Sequence, residues 1–227
     1  NSKSISPTDR IKPGMEIDST KQALSPEVPR IIELEKRIKE LETENTRLGE
    51  IVITDELTGL KSRRAILDSL DQEIDRANRG KIKLCAVYID VDNFRKVNTD
   101  YGHEQGDEVL RKVAERLKDG TRKADSLGRL SGDEFLLLIP LDPDEQEKDL
   151  KNILQRHIEA VRKVNRSNRP EEFIDQTISL GCVIVSPEIS LAENMAKKIK
   201  EQADQALSSS KAAGKSRFVI AHYHPTF

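Results

Sequence analysis

Three apolar runs, separated by longer amphipathic stretches, constrain the fold of this chain more than any other feature. They read "IKLCAVYIDV" (82–91), "EFLLLIP" (134–140) and "IDQTISLGCVIVS" (174–186). Runs of this length, rich in Val, Ile and Leu, predict strands buried in a sheet. Two shorter runs, "SLGRL" (126–130) and "RFVIA" (217–221), predict further strands, the second at an edge of the sheet.

The stretches between these runs carry apolar residues at helical spacing. Gly80 and Gly120 close two of them, as glycine commonly does after the last turn of a helix. The predicted helices cover residues 62–80, 103–120, 143–167 and 190–213. Helices and strands therefore interleave around one apolar sheet, and the predicted fold class is mixed α and β.

A heptad pattern precedes this part of the chain. Its apolar residues recur at alternating steps of three and four, the a/d spacing of a coiled coil. This seam consists of Ile31, Leu34, Ile38, Leu41, Asn45, Leu48 and Val52. Asn45 falls at an a position, where a buried asparagine costs stability but selects a parallel, in-register dimer. We therefore predict a coiled-coil dimerisation helix over 28–52; the alternative is an amphipathic helix that packs on its own domain.

The segments on either side complete the predicted organisation. Residues 1–27 are rich in Ser, Thr and Pro without periodicity, and we expect a flexible linker there. Residues 53–227 form the domain that carries the sheet. The chain opens on Asn rather than Met, which leaves room for an upstream sensor domain in a longer protein.

Charge and hydropathy exclude several classes of function. The net charge of −2 gives no basic footprint, so nucleic acid is not an expected partner. No apolar run approaches the roughly 18 residues needed to span a bilayer, and no signal peptide is evident. Cys85 and Cys182 lie far apart inside apolar runs, which predicts buried free thiols and fits a reducing cytoplasm.

Acidic residues stand at the ends of two predicted strands. Asp90 and Asp92 end the first run, and Asp133 and Glu134 open the second. A carboxylate at a buried strand end is costly unless something compensates it. For Asp92 a helix N-cap is the simpler interpretation. If the two strands are neighbours, Asp90 and Asp133 converge on one cation, and oxygen ligands suit Mg²⁺; ordinary surface acids at a hairpin turn are the alternative.

Groups suited to phosphate lie close by in the sequence. Backbone N–H groups of residues 93–95 open a helix and are placed to hold phosphate oxygens. Lys211 and Lys215 are cations that could meet them, although for each taken alone a solvated surface lysine is the simpler interpretation. The small residues Ser131 and Gly132 let a bulky substrate approach the backbone. These features favour a nucleotide.

Five segments together resemble the GGDEF domain of diguanylate cyclases, in the same order and at matching spacings. They are "DELTGLKSRRA", "DVDNFRKVNTDYGHEQGDEVL", "RKAD", "RLSGDEF" and "SSSKAAGKSRF", within residues 53–222. The resemblance implies an α+β, palm-like domain related to adenylyl cyclases and polymerases. Its central, mostly antiparallel sheet is flanked by helices, and the signature turn is the tip of a β-hairpin. A bacterial, cytoplasmic signalling protein is also implied.

The resemblance further implies an enzyme in which each domain binds one GTP and two domains meet face to face. The 3′-hydroxyl of each GTP attacks the α-phosphorus of the other, giving cyclic di-GMP and two pyrophosphates. The implied cofactor is Mg²⁺ (or Mn²⁺), two ions per half-site. The implied partners are GTP, cyclic di-GMP and a second copy of the chain joined through 28–52.

Carried over position by position, the resemblance gives a role to each group of site residues. The implied metal ligands are Asp90, Val91 (through its carbonyl) and Asp133; the catalytic residues are Asp133 and Glu134; the guanine contacts are Asn98, His103 and Asp107; the phosphate contacts are Phe94, Arg95, Lys211 and Lys215; the signature turn is Ser131 and Gly132. Asp107 can accept from guanine N1–H and N2–H₂, which adenine cannot offer, so cyclic di-GMP is expected rather than a mixed cyclic dinucleotide.

The segment "RKAD" stands five residues before the signature and matches the family's RxxD inhibitory site. The resemblance implies that Arg122 presents paired donors to the O6/N7 edge of guanine and that Asp125 accepts from the base. Cyclic di-GMP bound there would hold two domains in a non-productive arrangement. The alternative is a surface ion pair between these two residues.

Three positions depart from the family pattern. Ser131 replaces the first glycine of the signature, Lys215 stands where arginine is usual, and Ser62 replaces an asparagine. None of these changes removes a metal ligand, so catalysis should survive. The competing hypothesis is a catalytically silent GGDEF domain that acts as a receptor for cyclic di-GMP or GTP, and a scaffold that only pairs partners is a third.

Overall fold

A computed structural model of the chain describes residues 27–49, 53–80, 82–142, 145–164, 176–186 and 194–223. The chain divides into two units, Asn1–Arg47 and Leu48–Phe227. The linker predicted for residues 1–27 lies outside the described residues except for its last position.

Helix α1 (Glu27–Gly49) accounts for the described part of the first unit. Four seam residues, Ile31, Leu34, Ile38 and Leu41, are each 52–55% exposed. The side chains at positions 45 and 48, and all of residue 52, lie outside the described part, so the polar position in the seam stays a prediction. An apolar stripe of this exposure needs a second surface to cover it.

The second unit is built on one five-stranded sheet. Its strands are β1 (Lys83–Val91), β2 (Ser126–Ser131), β3 (Glu134–Leu141), β4 (Ile178–Val185) and β5 (Phe218–His222). Their order is β2-β3-β1-β4-β5, with β1 in the centre. All neighbouring pairs are antiparallel except β4 and β5, which are parallel. The predicted α+β class with a mostly antiparallel sheet is confirmed, as is the edge position of the last strand.

The described part of the second unit contains five helices, one before β1 and four between strands. They are α2 (Arg63–Gly80), α3 (Phe94–Tyr101), α4 (His103–Gly120), α5 (Glu147–Val164) and α6 (Met195–Ala212). The helices predicted from periodicity are confirmed, with ends that shift by a few residues. The short helix α3 begins where the sequence predicted that a helix opens.

The long strands are apolar on both faces because helices cover both. Along β1, Val87 and Ile89 pack in the core layer that includes residues of α4 and α5. Ala86 and Tyr88 point to the opposite layer, which includes residues of α2 and α6. Side chains alternate between the two faces of a strand, so a strand buried on both sides reads as a continuous apolar run.

Two further features follow from this packing. Cys85 and Cys182 are buried and free, as predicted. In the described part of the chain, no helix is both long and apolar enough to cross a bilayer.

Candidate active site

The end of the central strand β1 lies beside the turn between β2 and β3. Asp90 is paired with Glu134 across β1 and β3. The backbone N–H of Val91 donates to the carbonyl of Asp133 at 3.2 Å. The two strands are therefore neighbours, which is the condition under which Asp90 and Asp133 were expected to converge.

Both carboxyl groups lie where a negative charge is disfavoured. Burial raises the pKa of Asp90; Lys211 opposes the shift, and the charges of Asp133 and Asp92 add to it. Burial likewise raises the pKa of Asp133, with a further contribution from the charge of Glu134. Two half-buried carboxyl groups with raised pKa values form a place where a cation is stabilising.

Two lysines reach this place, Lys211 from the last turn of α6 and Lys215 from the loop that follows it. Lys211 Nζ lies 2.7 Å from Asp90 Oδ2. Lys215 Nζ donates to Asn93 Oδ1 at 2.6 Å. Both lysines predicted to meet phosphates are therefore at the end of β1, and neither is surrounded by solvent alone.

The signature turn accepts serine at its first position without strain. Ser131 has no positive φ, whereas Gly132 has φ +47°, in the left-handed region that favours glycine. The Ser131 hydroxyl donates to Glu134 Oε2 at 3.0 Å. The substitution of the family's first glycine thus adds a hydrogen bond and no backbone penalty.

Sequence reasoning missed the ion pair that holds this turn. Arg129 Nε donates to the Gly132 carbonyl at 2.9 Å, and Arg129 Nη1 lies 3.2 and 3.3 Å from the two carboxylate oxygens of Asp55. Burial raises the pKa of Asp55, but hydrogen bonds from Thr58 and Arg129 outweigh it, and the pKa is lowered. The Asp55–Thr58 spacing is a local turn signal, yet nothing in the sequence pairs it with Arg129.

Asp92 is not the N-cap of α3, and that prediction was wrong. The N-cap is Asn93, which has a left-handed conformation and makes no side-chain cap hydrogen bond. Asp92 is 2% exposed, and its carboxylate accepts from the hydroxyls of Thr177 and Ser179, both at 2.7 Å, and from the Ser216 N–H at 3.1 Å. These donors compensate its burial, so Asp92 joins the ends of β1 and β4 to the loop after α6.

The first turn of α3 carries backbone N–H groups that were predicted to bind phosphate. The N–H groups of Phe94 and Arg95 have no partner within the helix, as in the first turn of any helix. They follow Asn93, which contacts Lys215. The helix terminus and a cation therefore lie together at the end of β1.

The oxygen ligands at the end of β1 and at the signature turn suit a magnesium ion that binds together with a nucleotide. Among the described residues, no group of three or more carboxylate, imidazole or thiol side chains could hold a metal ion by itself. Asp90 and Asp133 supply two carboxylates, and Val91 a backbone carbonyl nearby. Mg²⁺ is commonly held by one or two carboxylates, with water and substrate phosphates in its other positions. The residues fit such an ion.

A corner between α3 and α4 brings the predicted guanine contacts together. A Cβ on Gly106 would lie 1.9 Å from Asn98 Oδ1 and 3.2 Å from the ring atom Cζ of Phe94. The Asn98 amide therefore rests on the backbone of α4 directly beside Asp107. His103 stands one helical turn before Asp107, on the same side of α4. Sequence reasoning missed Gly106, which makes this approach possible.

The segment around Arg122 does not contain the ion pair considered as an alternative. Asp125 Oδ2 accepts from the backbone N–H of Arg122 at 2.8 Å, which forms a tight turn. The Arg122 guanidinium instead donates through Nη1 and Nη2 to Glu145 Oε1, both at 3.2 Å. Burial raises the pKa of Asp125, Arg122 opposes the shift, and the charge of Glu145 adds to it.

Comparison with known proteins agrees with this geometry. The family model "Diguanylate cyclase, GGDEF domain" matches residues 52–217. Diguanylate cyclase DgcP of Pseudomonas aeruginosa is 34% identical over 171 residues, which are 74% of this chain and 24% of that protein. The chain thus spans about a quarter of the length of that relative.

Two solved structures from Caulobacter crescentus have the same fold. The GGDEF domain of DgcB in complex with c-di-GMP has a TM-score of 0.65 at 29% identity, covering 74% of this chain and 95% of that one. The coiled coil and GGDEF domain of DgcB, also in complex with c-di-GMP, has a TM-score of 0.63 at 26% identity, covering 85% of this chain and 98% of that one. Because the family model matches most of the length of this chain, the chain belongs to the GGDEF-domain diguanylate cyclase family.

Proposed function

We propose that this chain is an active diguanylate cyclase that condenses two GTP molecules into cyclic di-GMP and two pyrophosphates. The observation that carries the proposal is the meeting of Asp90, at the end of β1, with the Asp133 turn of the neighbouring hairpin. Intact acids at both places favour an enzyme over a receptor for cyclic di-GMP alone, since such a receptor has no need to keep two carboxyl groups in a site that raises their pKa values.

The proposed reaction runs twice with the roles of the two nucleotides exchanged. A 3′-hydroxyl oxygen forms a bond to the α-phosphorus of the other GTP and loses its proton. The bond from that phosphorus to the β-phosphate oxygen breaks, and pyrophosphate leaves. Most of the catalytic benefit comes from holding the two reactants in line, because positioning makes the encounter effectively unimolecular.

The proposed residues act on the phosphate chain from the end of the central strand β1 and the turn beside it. Asp90, Asp133 and the Val91 carbonyl would hold Mg²⁺, two ions in the family's mechanism. When bound there, the metal would lower the pKa of the attacking hydroxyl and offset charge on the leaving group. Glu134, opposite Asp90, supports the same site. Lys211 leaves Asp90 for the triphosphate when nucleotide binds, and Lys215 and the N–H groups of α3 add further donors.

Guanine is read at the corner of α3 and α4. Asp107 accepts from N1–H and N2–H₂ of the base, and Asn98 and His103 offer further polar groups. Adenine has no donors at these positions and leaves the Asp107 carboxylate unpaired, which costs binding free energy. The corner therefore favours GTP in both half-sites and cyclic di-GMP as the product.

Gly106→Ala is expected to weaken GTP binding without harming the fold. The new Cβ displaces the Asn98 amide, which lies 1.9 Å from its position, and the base loses about 1.5–3 kcal/mol of contacts. We expect KM for GTP to rise by about tenfold or more. The melting temperature should change little, because the higher helix propensity of alanine, about 1 kcal/mol, offsets the cost of displacing the neighbouring side chains. In kinetics of the double variant, Gly106→Ala should add nothing to Asn98→Ala; additive effects would contradict this role.

A second copy of the chain completes the enzyme in this proposal. Each half-site holds one GTP, so turnover requires two catalytic domains (53–227) in apposition. The exposed seam of α1 supports a parallel coiled coil over 28–52 as the connection. An upstream sensor in a longer protein would act by changing the rotation or register of that coil.

Leu41→Lys is expected to dissociate the dimer and reduce synthesis. Burying one leucine side chain stabilises the dimer by about 1.5–3 kcal/mol, and each of the two copies contributes one Leu41. Dimerisation should therefore weaken by at least about a hundredfold. Ile32→Lys is the matched control, because Ile32 is 59% exposed on the same helix but off the seam. Analytical ultracentrifugation and the initial rate at several protein concentrations check both variants. A dimeric, fully active Leu41→Lys variant would exclude the seam as the dimer contact.

We also propose that product inhibits the enzyme at Arg122 and Asp125. The Arg122 guanidinium offers two N–H groups of the kind that pair with guanine O6 and N7. The DgcB structures in complex with c-di-GMP support the capacity of related domains to bind this ligand. A silent receptor would keep this site and lose the acids at β1 and the hairpin.

One assay distinguishes the enzyme from the receptor and the scaffold. Purified chain is incubated with GTP and Mg²⁺, and nucleotides are separated by chromatography. An enzyme yields one cyclic di-GMP for every two pyrophosphates. Absence of product together with tight binding of added cyclic di-GMP would favour the receptor, and absence of both would favour the scaffold.

A further inference from the structure

One edge of the Arg122 guanidinium is already occupied by a carboxylate of the same chain. Both Nη1 and Nη2 donate to Glu145 Oε1 at 3.2 Å. The Glu145 side chain is 12% exposed, whereas that of Arg122 is 47% exposed. Glu145 lies in the segment between β3 and α5, where its backbone N–H donates to the carbonyl of Asp142 at 2.9 Å. This backbone contact keeps Glu145 close to the end of β3.

The contact uses the same donors that a guanine ligand needs. Guanine O6 and N7 accept from the two N–H groups of an arginine fork, and a carboxylate oxygen accepts from the same groups. The Nη1/Nη2 edge of Arg122 cannot satisfy both partners at once. A guanine that binds at this edge must therefore displace Glu145.

The other half of the site is not satisfied in this way. Asp125 Oδ1 is buried and has no hydrogen-bond partner among the described residues, while Oδ2 accepts from the Arg122 N–H. A buried carboxylate oxygen without a donor is costly. The N1–H and N2–H₂ groups of guanine are donors of the kind it lacks.

The surroundings of Arg122 favour an anionic ligand. A cavity of about 400 Å³ adjoins it, lined by Lys61, Lys118, Arg122 and Lys123 together with Thr121 and apolar or glycine residues. Among the described residues, those that line this cavity include no acid. The phosphodiester groups of a cyclic dinucleotide suit such a lining, and Glu145 places a carboxylate beside Arg122 that opposes binding.

We propose that Glu145 is an affinity-determining residue of the Arg122/Asp125 site, an intrachain competitor that raises the cyclic di-GMP concentration needed for inhibition. The inference rests on the proposed product-binding role of that site. Glu145→Gln keeps the size of the side chain and removes the charge that holds Arg122. The Kd for cyclic di-GMP is expected to fall by about two- to fivefold, as for loss of one partly exposed ion pair.

The test measures binding rather than turnover. The full chain, freed of bound nucleotide, is titrated calorimetrically with cyclic di-GMP in the absence of GTP. Glu147→Gln is the matched control, because Glu147 starts the next helix and pairs with Lys151 at 2.7 Å, away from Arg122. We expect tighter binding for Glu145→Gln and Glu145→Ala, unchanged binding for Glu147→Gln, and no binding for Arg122→Ala.

The outcomes separate the inference from the proposal beneath it. If wild type does not bind, or Arg122→Ala binds as wild type does, the regulatory site itself is misassigned. If Arg122→Ala abolishes binding while both Glu145 variants bind no more tightly than wild type, the site stands and the competitor role of Glu145 is overturned.

Discussion

Asp133→Asn is expected to abolish cyclic di-GMP synthesis while leaving the protein at least as stable as wild type. The substitution keeps the shape of the side chain and removes one of the two carboxylates proposed to hold Mg²⁺. Losing a metal ligand in phosphoryl transfer removes several kcal/mol of charge stabilisation, so the rate should fall by at least about 10²–10³-fold. The free energy of unfolding should stay the same or rise. Burial raises the pKa of Asp133, so folding disfavours its ionised form, and a neutral asparagine avoids that cost.

The opposed directions make this result diagnostic. A variant that is inactive because it is misfolded would melt at a lower temperature, whereas Asp133→Asn should melt at or above the wild-type temperature. Asp68→Asn is a suitable control, since Asp68 is exposed on α2 and pairs only loosely with Arg64, at 3.7 Å. Retention of more than a tenth of wild-type activity by Asp133→Asn would remove Asp133 from the metal site.

Arg129→Ala is expected to reduce synthesis by about 10–100-fold with little change in KM for GTP. Arg129 holds the Gly132 carbonyl with one arm and Asp55 with the other. Its removal leaves a half-buried Asp55 without a cation and frees the turn that positions Asp133, at a cost of about 1–3 kcal/mol in stability. Small displacements of a metal-binding group reduce the rate because in-line positioning is lost.

A double-mutant cycle with Asp55 tests whether the effect travels through this contact. Asp55→Asn should also lower kcat, by less than Arg129→Ala, because Gly132 keeps its donor. The double variant should be no worse than Arg129→Ala alone, since the two residues act as one unit. Activity losses that simply multiply would show that Asp55 and Arg129 act independently.

Elements with a strong period were predictable from the sequence. The runs that became β1, β3 and β4 carry apolar residues on both faces, and helix periodicity with closing glycines marked α2 and α4. Local pattern fixes these elements because each residue's environment depends on its position along one strand or helix. The meeting of Asp90 with the signature turn was predicted on the condition that the two strands are neighbours. The sheet order fulfils this condition.

Side-chain partners between distant segments were not predictable in the same way. Asp92 has the spacing of a helix N-cap, yet its carboxylate is compensated by Thr177, Ser179 and Ser216, from two other segments. For Arg122, an ion pair with Asp125, its neighbour in the motif, was the alternative to ligand binding, and in the structure its guanidinium binds Glu145. Such choices depend on which polar groups the tertiary fold brings within reach, and a single sequence contains no record of that proximity.

A crystal structure with Mg²⁺ and 3′-deoxy-GTP, which lacks the attacking hydroxyl and so cannot react, tests the magnesium site most directly. The prediction is an ion bonded to carboxylate oxygens of both Asp90 and Asp133, the guanine at Asn98 and Asp107, and Lys211 Nζ moved from Asp90 to a phosphate oxygen. A nucleotide bound elsewhere, with the 2.7 Å contact between Lys211 and Asp90 intact, would contradict it.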